Sequence, residues 1–239
     1  MSLLSVKKLS KKIKNRVLIK DINFEVNNSE IVGLLGPNGA GKTTTFYSIA
    51  GLIRPSNGNI YINNQDITNM PMHERSKLGI AYLPQESSIF QNLSVKDNIL
   101  GLAQLSSDDN KAILSRFNKV VEEFNLSSIL MQKGRELSGG QRRRVEIARC
   151  LVTMPKIILM DEPFAGIDPI AVDDIKKILN QLVSQGISIL ITDHNVSAAL
   201  EICSRGLILS EGQVLAEGTT EELINNPKVR EGYLGEMYS

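Results

Sequence analysis

The sequence predicts an α/β fold: a parallel sheet flanked by helices, an antiparallel β subdomain, and an inserted α-helical subdomain. Three observations carry this. Short aliphatic runs such as "EIVGLLG", "KIILM" and "ISILIT" alternate with helical stretches, and read as strands buried on both faces. Residues 3–26 alternate loosely, as paired antiparallel strands do. Between about 90 and 152 the pattern is helical. The 239 residues therefore read as a single domain, with a core of about 1–89 and 153–239 around a helical subdomain of about 90–152.

Each element has a local reason. The strand at 30–36 runs into a glycine-rich turn, and the helix from Lys42 stops near Gly51. Residues 58–67 read as a hairpin turning at Asn63-Asn64, and 80–84 as a further strand. Ser94 with Asp97 three residues later marks a helix start, and a second amphipathic stretch covers about 108–124. Helix resumes at Ser138 and ends before Pro155. Strand 156–160, a helix over about 169–185, Gly186 as its stop, and strand 187–192 restore the α/β alternation. A short helix, the hairpin "GLILSEGQVLAEG" and C-terminal helices follow.

Composition narrows the function class. A net charge of +1 offers no global basic field for nucleic acid, so the run Arg142 to Arg144 needs a local explanation. Cys150 and Cys203 lie too far apart for metal-ligand spacing and read as free thiols. No aliphatic run reaches membrane-spanning length, so a membrane role requires a partner.

"GPNGAGKT" fits G-x-x-x-x-G-K-[ST] between a strand and a helix. Gly36, Pro37, Asn38, Gly39, Ala40 and Gly41 would wrap backbone N–H groups around phosphates, and the helix N-terminus adds favourable potential. Lys42 would reach the β- and γ-phosphates, the Thr43 hydroxyl would ligate Mg²⁺, and Thr44 completes the ATP-binding set. "KIILMDEP" supplies the complement at a strand's carboxyl end: Asp161 to hold the metal, Glu162 as general base toward water. No guanine-reading N-K-x-D is present, which disfavours a GTPase.

With the remaining motifs the chain resembles the ATP-binding cassette (ABC) family. The family signature L-S-G-G-Q stands at Leu137, Ser138, Gly139, Gly140 and Gln141, between the phosphate loop and "ILMDEP". "LPQE" gives Gln85 as the linking-loop glutamine, a catalytic and Mg²⁺-sensing position. "AGID" gives the dimer loop Ala165, Gly166, Ile167 and Asp168, and "TDHN" gives His194 as the switch histidine. The resemblance implies a RecA-like phosphate-loop core, ATP and Mg²⁺ as ligands, and a head-to-tail homodimer. In that dimer the signature of one chain faces the γ-phosphate held by the other. It also implies two transmembrane permease subunits engaged through coupling helices, no nucleic acid, and a cytoplasmic location on the bacterial inner membrane's inner face.

Arg142, Glu146 and Arg149 fall on one helical face, beside an apolar stripe of Val145, Ala148 and Val152, and read as a solvated, ion-paired surface. One position departs from the family: Ile13 stands where an aromatic ring normally stacks on adenine. Apolar cover remains, but stacking of about 0.5–1.5 kcal/mol is lost.

Residues 70–99 are similar to the branch of ATPases that drives lipopolysaccharide export, through "MPMHER" and "GIAYLPQESSIFQNLSV", as are "DEPFAGIDPIAVDDIK" and the terminal "YLGE". Branched-chain amino-acid importer ATPases are the alternative, and a soluble non-transport cassette ranks below both. Under either transport reading Ser87, Ser88, Ile89, Phe90 and Leu93 line the groove for the partner's helix. Phe90 stands there as an apolar anchor or, equally, as an ordinary core residue.

Overall fold

In the computed structural model, which describes residues 2–105, 109–194 and 196–234, two sheets share one molecule. The aliphatic runs form the parallel strands β3 (Ile31–Leu35), β6 (Ile80–Leu83), β7 (Ile157–Asp161) and β8 (Ser188–Thr192), joined by β9 (Arg205–Ser210). Their order with β10 (Gln213–Gly218) is β10-β9-β3-β8-β7-β6, and β10 runs antiparallel to β9. Successive residues of these strands enter different cores. Val32, Leu34, Ile157, Leu159 and Leu190 join one, whereas Ile31, Leu35, Ile158, Met160, Ile189 and Ile191 join the other. Burial of both faces explains their unbroken apolar composition.

The first of these cores lies against the antiparallel sheet β2-β1-β4-β5. Its strands are β1 (Ser2–Ile13), β2 (Arg16–Asn27), β4 (Asn57–Ile62) and β5 (Gln65–Asp66). The turn between β4 and β5 uses Asn63 and Asn64 at φ 47° and 65°, the left-handed pair that a tight hairpin requires. Helix α1 (Lys42–Ala50) packs Phe46, Ile49 and Ala50 into the same core and stops at Gly51, φ 82°.

Helices α3 (Val95–Ala103), α4 (Asn110–Glu123) and α5 (Gly139–Leu151) cover the other core, with α6 (Pro169–Ser184) and α7 (Val196–Ile202). Ser94 caps α3 by accepting from the Asp97 N–H at 3.0 Å. Asp109 caps α4, so that helix begins just inside the expected range. Val145, Ala148 and Val152 are fully buried, as the apolar stripe required. The terminal "YLGE" lies partly outside the described residues. Helix α8 (Thr220–Asn225) closes against β9 and β10.

One helix was not legible in the sequence. α2 (Met72–Lys77) follows Pro71 without a side-chain cap and is held instead by tertiary contact. Its Arg75 is 1% exposed and donates to four main-chain carbonyls, those of Ser48, Ile49, Thr68 and Met70, at 2.6–2.9 Å. Burial lowers the guanidinium to about 10, which leaves it charged at neutral pH. A side chain at Gly51 would come within 2.8 Å of Arg75 Nε.

Candidate functional site

The loops after β3, β7 and β8 meet at the carboxyl edge of the parallel sheet, where α/β folds place their ligands. There they line a cavity of about 490 Å³ with Asn38, Gly39, Gly41, Lys42, Thr43, Thr44, Glu162 and His194. Glycine is required at two turns of the phosphate loop. At Gly36, φ 145°, a Cβ would fall 2.3 Å from the Leu209 carbonyl oxygen; at Gly41, φ 102°, it would fall 2.5 Å from Ile19 Cγ2. The Lys42 ammonium donates to the carbonyls of Gly36 at 2.6 Å and Pro37 at 3.1 Å, so the loop is curled around its own cation. Burial pulls the ammonium below its usual range; Glu162, Asp161 and Asp193 oppose that. Ala40 is buried beneath the loop, and Thr43 is exposed at the start of α1.

Strand β7 ends at Asp161, whose Oδ1 accepts from Thr192 Oγ1 at 2.5 Å. The chain turns sharply at Glu162, φ 48°, a left-handed conformation uncommon outside glycine. The Glu162 N–H is tied to the Thr192 carbonyl at 2.9 Å, so β7 and β8 together set the direction of its carboxylate. His194 Nε2 lies 2.5 Å from Glu162 Oε1. Burial holds the Glu162 carboxyl above the usual range, His194 draws it down, and Asp161 and Asp193 push it up. A carboxylate of raised basicity beside an imidazole suits proton removal from water. His194→Ala is therefore expected to lower hydrolysis by about 10² or more. Removing the imidazole also removes a group that lowers the Glu162 pKa, so the acid limb of residual activity should move to higher pH. Parental turnover with an unmoved pH–rate profile would make His194 a solvated loop residue.

Residues 137–141 do not line this cavity. Ser138 caps α5: its Oγ accepts from the Gln141 N–H at 3.3 Å and its N–H donates to Gln141 Oε1 at 2.9 Å. The two glycines differ in what they avoid. A Cβ on Gly140 would come within 3.0 Å of the Ala171 methyl, whereas one on Gly139 would meet nothing closer than 3.8 Å. Internal packing therefore accounts for Gly140. Gly139 and Ser138 are exposed at the N-terminus of α5, the helix end whose free N–H groups favour anions in general. Nearby, Ala165, Gly166 and Asp168 are exposed and Ile167 half-buried, and Asp168 caps α6 through the Ala171 N–H at 3.0 Å.

Comparison with known proteins decides the family. The family model described as ABC transporter matches residues 19–165. The chain belongs to the ABC transporter ATPase family. A second model, for branched-chain amino acid ATP-binding cassette transporters, matches residues 213–239. The lipopolysaccharide export system ATP-binding proteins LptB of Haemophilus influenzae and Escherichia coli K12 are each 49% identical to the ABC ATPase over 239 residues, covering 100% of this chain and 99% of theirs. A solved ATP-binding cassette of an ABC transporter in its ADP conformation superposes with a TM-score of 0.90 at 30% identity, covering 98% and 99% of the two chains. A dimeric cassette bound to ADP and Pi gives 0.78 at 25% identity over 91% of this chain and 98% of that one.

The ABC ATPase departs from several sequence expectations. Ile13 is 52% exposed, pairs with Arg16 at the end of the β1–β2 hairpin, and does not line the cavity; Arg16, Val17, Leu18 and Glu211 do. Gln85 follows β6 at the same sheet edge but is exposed and likewise outside the cavity lining. Ile89 is core, 6% exposed, and not groove. Phe90 is 58% exposed: the buried Asn98 side chain bonds both its N–H and its carbonyl, and so turns the ring outward. The face with Glu146 and Arg149 is not solvated. Arg143, Glu146 and Arg149 are 5%, 3% and 7% exposed, because the loop after β6 lies across them. Beside this loop a groove of about 870 Å³ is lined by Met72, Ser88, Leu102, Leu105, Arg149 and Met154, among others. Of the residues expected to line it, Ser88 does; Phe90 stands next to it, its ring 5.1 Å from the Arg149 guanidinium carbon.

Proposed function

We propose that this ABC ATPase is the ATP-hydrolysing subunit of a lipopolysaccharide exporter, working as a head-to-tail pair beneath two permease subunits on the cytoplasmic face of a bacterial inner membrane. One observation carries the reading: 49% identity, end to end, to proteins named for lipopolysaccharide export. The branched-chain model touches only residues 213–239, at the C-terminus. Among the described residues no helix is long and apolar enough to cross a membrane, which fits an engine that borrows its membrane path from partners.

In this reading the phosphates take the place of the Gly36 and Pro37 carbonyls at the Lys42 ammonium. Val17, which lines the cavity, gives the base aliphatic cover. Glu162 accepts the proton of the attacking water, and His194 orients the carboxylate. Ser138 and the N–H groups at Gly139 and Gly140 meet the γ-phosphate held by the second copy. Thr43 and Asp161, with Gln85 brought in by its loop, would hold Mg²⁺. They are hard oxygen donors, and among the described residues Asp161 Oδ2 is engaged only by a long 3.4 Å hydrogen bond that it accepts from the Tyr82 hydroxyl. Bound Mg²⁺ would neutralise charge on the β- and γ-phosphate oxygens. Residues of about 90–152 form the helical subdomain that carries the signature.

The test is to purify the chain with its membrane partners, reconstitute them in vesicles containing lipopolysaccharide, and measure its ATP-dependent extraction. Extraction by the parent and none by Glu162→Gln supports the reading. Uptake of an amino acid, with no extraction, overturns it. The groove predicts a further separation. Phe90→Ala should weaken association with the membrane subunits by at least ~2 kcal/mol, roughly thirtyfold, as truncation of an aromatic anchor does. Its isolated ATPase should melt within ~1 kcal/mol of the parent, since a ring this exposed loses little beyond its cation–π contact. Unchanged co-purification would remove Phe90 from the interface.

A further inference from the structure

The loop between β6 and α3 carries Gln85 at one end and Phe90 at the other, and α5 begins at the signature serine. Four side-chain hydrogen bonds join loop and helix. Arg143 Nη1 donates to the Pro84 carbonyl at 3.1 Å, and Arg149 Nη1 to the Ser88 carbonyl at 2.6 Å. Between them, Glu146 Oε1 accepts from Ser87 Oγ at 2.8 Å and from the Ser88 N–H at 2.9 Å. Its other oxygen, Oε2, accepts from Arg143 Nη1 at 3.1 Å. One carboxylate thus binds both the loop and the arginine that binds the loop.

We propose that Glu146 is a positioning residue that fastens residues 84–90 to the signature helix, so that Gln85 and Phe90 travel with α5 as one body. This rests on the role given to Gln85 above. A buried ion pair is poor value as plain stabilisation, because desolvation offsets most of its attraction. What such a pair does supply is a fixed geometry. Without the carboxylate, Arg143 would be buried with Nε and Nη2 already lacking partners and its counter-ion gone. Movement of α5 onto the nucleotide held by the second copy would then carry Gln85 toward its own nucleotide and shift the ring of Phe90 at the groove.

The experiment is a double-mutant cycle on the complex with its membrane partners. Glu146→Gln should lower kcat about tenfold and leave KM for ATP within about twofold. In a Gln85→Ala background the same change should alter kcat less than about twofold, because both act through one loop. Equal falls in both backgrounds, or full turnover in the single variant, overturn the proposal. Should Glu146→Gln fail to fold, Ser87→Ala removes one donor and keeps the ion pair; non-additivity with Gln85→Ala is again expected, and additivity overturns it. A fully active Gln85→Ala beside an inactive Glu162→Gln sinks this linkage alone. If Glu162→Gln is fully active as well, the reading of the site falls with it.

Discussion

Glu162→Gln is expected to bind ATP and pair with a second copy, yet turn over about 10²–10⁴ times more slowly than the parent. Glutamine keeps the size of the side chain and can still meet His194, but it cannot accept the water's proton. The geometry isolates the effect: the left-handed turn at residue 162 is held by its N–H, which donates to the Thr192 carbonyl, and not through the carboxylate, so the substitution leaves the loop in place. Steady-state hydrolysis, measured beside ATP-dependent dimerisation, checks it. Turnover near the parental rate would take the general-base role away from Glu162. The parent's own profile carries the same signature. Burial raises the Glu162 pKa, so the acid limb of activity should lie at higher pH than an ordinary carboxylate would give.

Lys42→Ala should fail one step earlier, at productive nucleotide binding. Lys42 is 6% exposed and the carbonyl partners of its ammonium are neutral, so phosphate oxygens are the stronger acceptors offered to it. Losing a charge-assisted contact of about 1.5–3 kcal/mol should weaken ATP binding roughly ten- to a hundredfold. Titration with a fluorescent ATP analogue reads this directly, and unchanged affinity with intact hydrolysis would overturn the phosphate-loop assignment. The two variants fail differently: one holds nucleotide without cleaving it, the other scarcely holds it.

Much of this was legible in the sequence because the relevant constraints are local. Glycines at Gly36 and Gly41, a lysine opening a helix, and acids ending an apolar strand each declare themselves within a few residues. The serine and glycines that open the signature helix do so in the same way, whereas the reciprocal bond from Ser138 to Gln141 is visible only in the structure. What stayed hidden depends on segments distant in sequence. Helical register showed that Glu146 and Arg149 share a face but not that residues 84–88 would cover it. Arg16 and Val17, at the start of β2, and Glu211, in the turn between β9 and β10, line the cavity from stretches that carry no motif. Ile89 and Phe90 are neighbours of similar apolarity, and only the buried Asn98 decides which faces outward. Helix α2 has too few residues and no cap of its own, so its existence depends on Arg75.

That arginine has a consequence for how the molecule breathes. Its guanidinium holds the last carbonyls of α1 from a position 27 residues further along the chain. Fraying of that helix end would leave a buried cation facing carbonyls that have moved away, which is costly. The closing turn of α1 and the whole of α2 should therefore open together, though neither adjoins the other in sequence. In hydrogen–deuterium exchange their amides would share one opening free energy and rise or fall in step with denaturant, as members of a single cooperative unit. The phosphate-binding end of α1, at Lys42, would exchange on its own schedule, set by nucleotide.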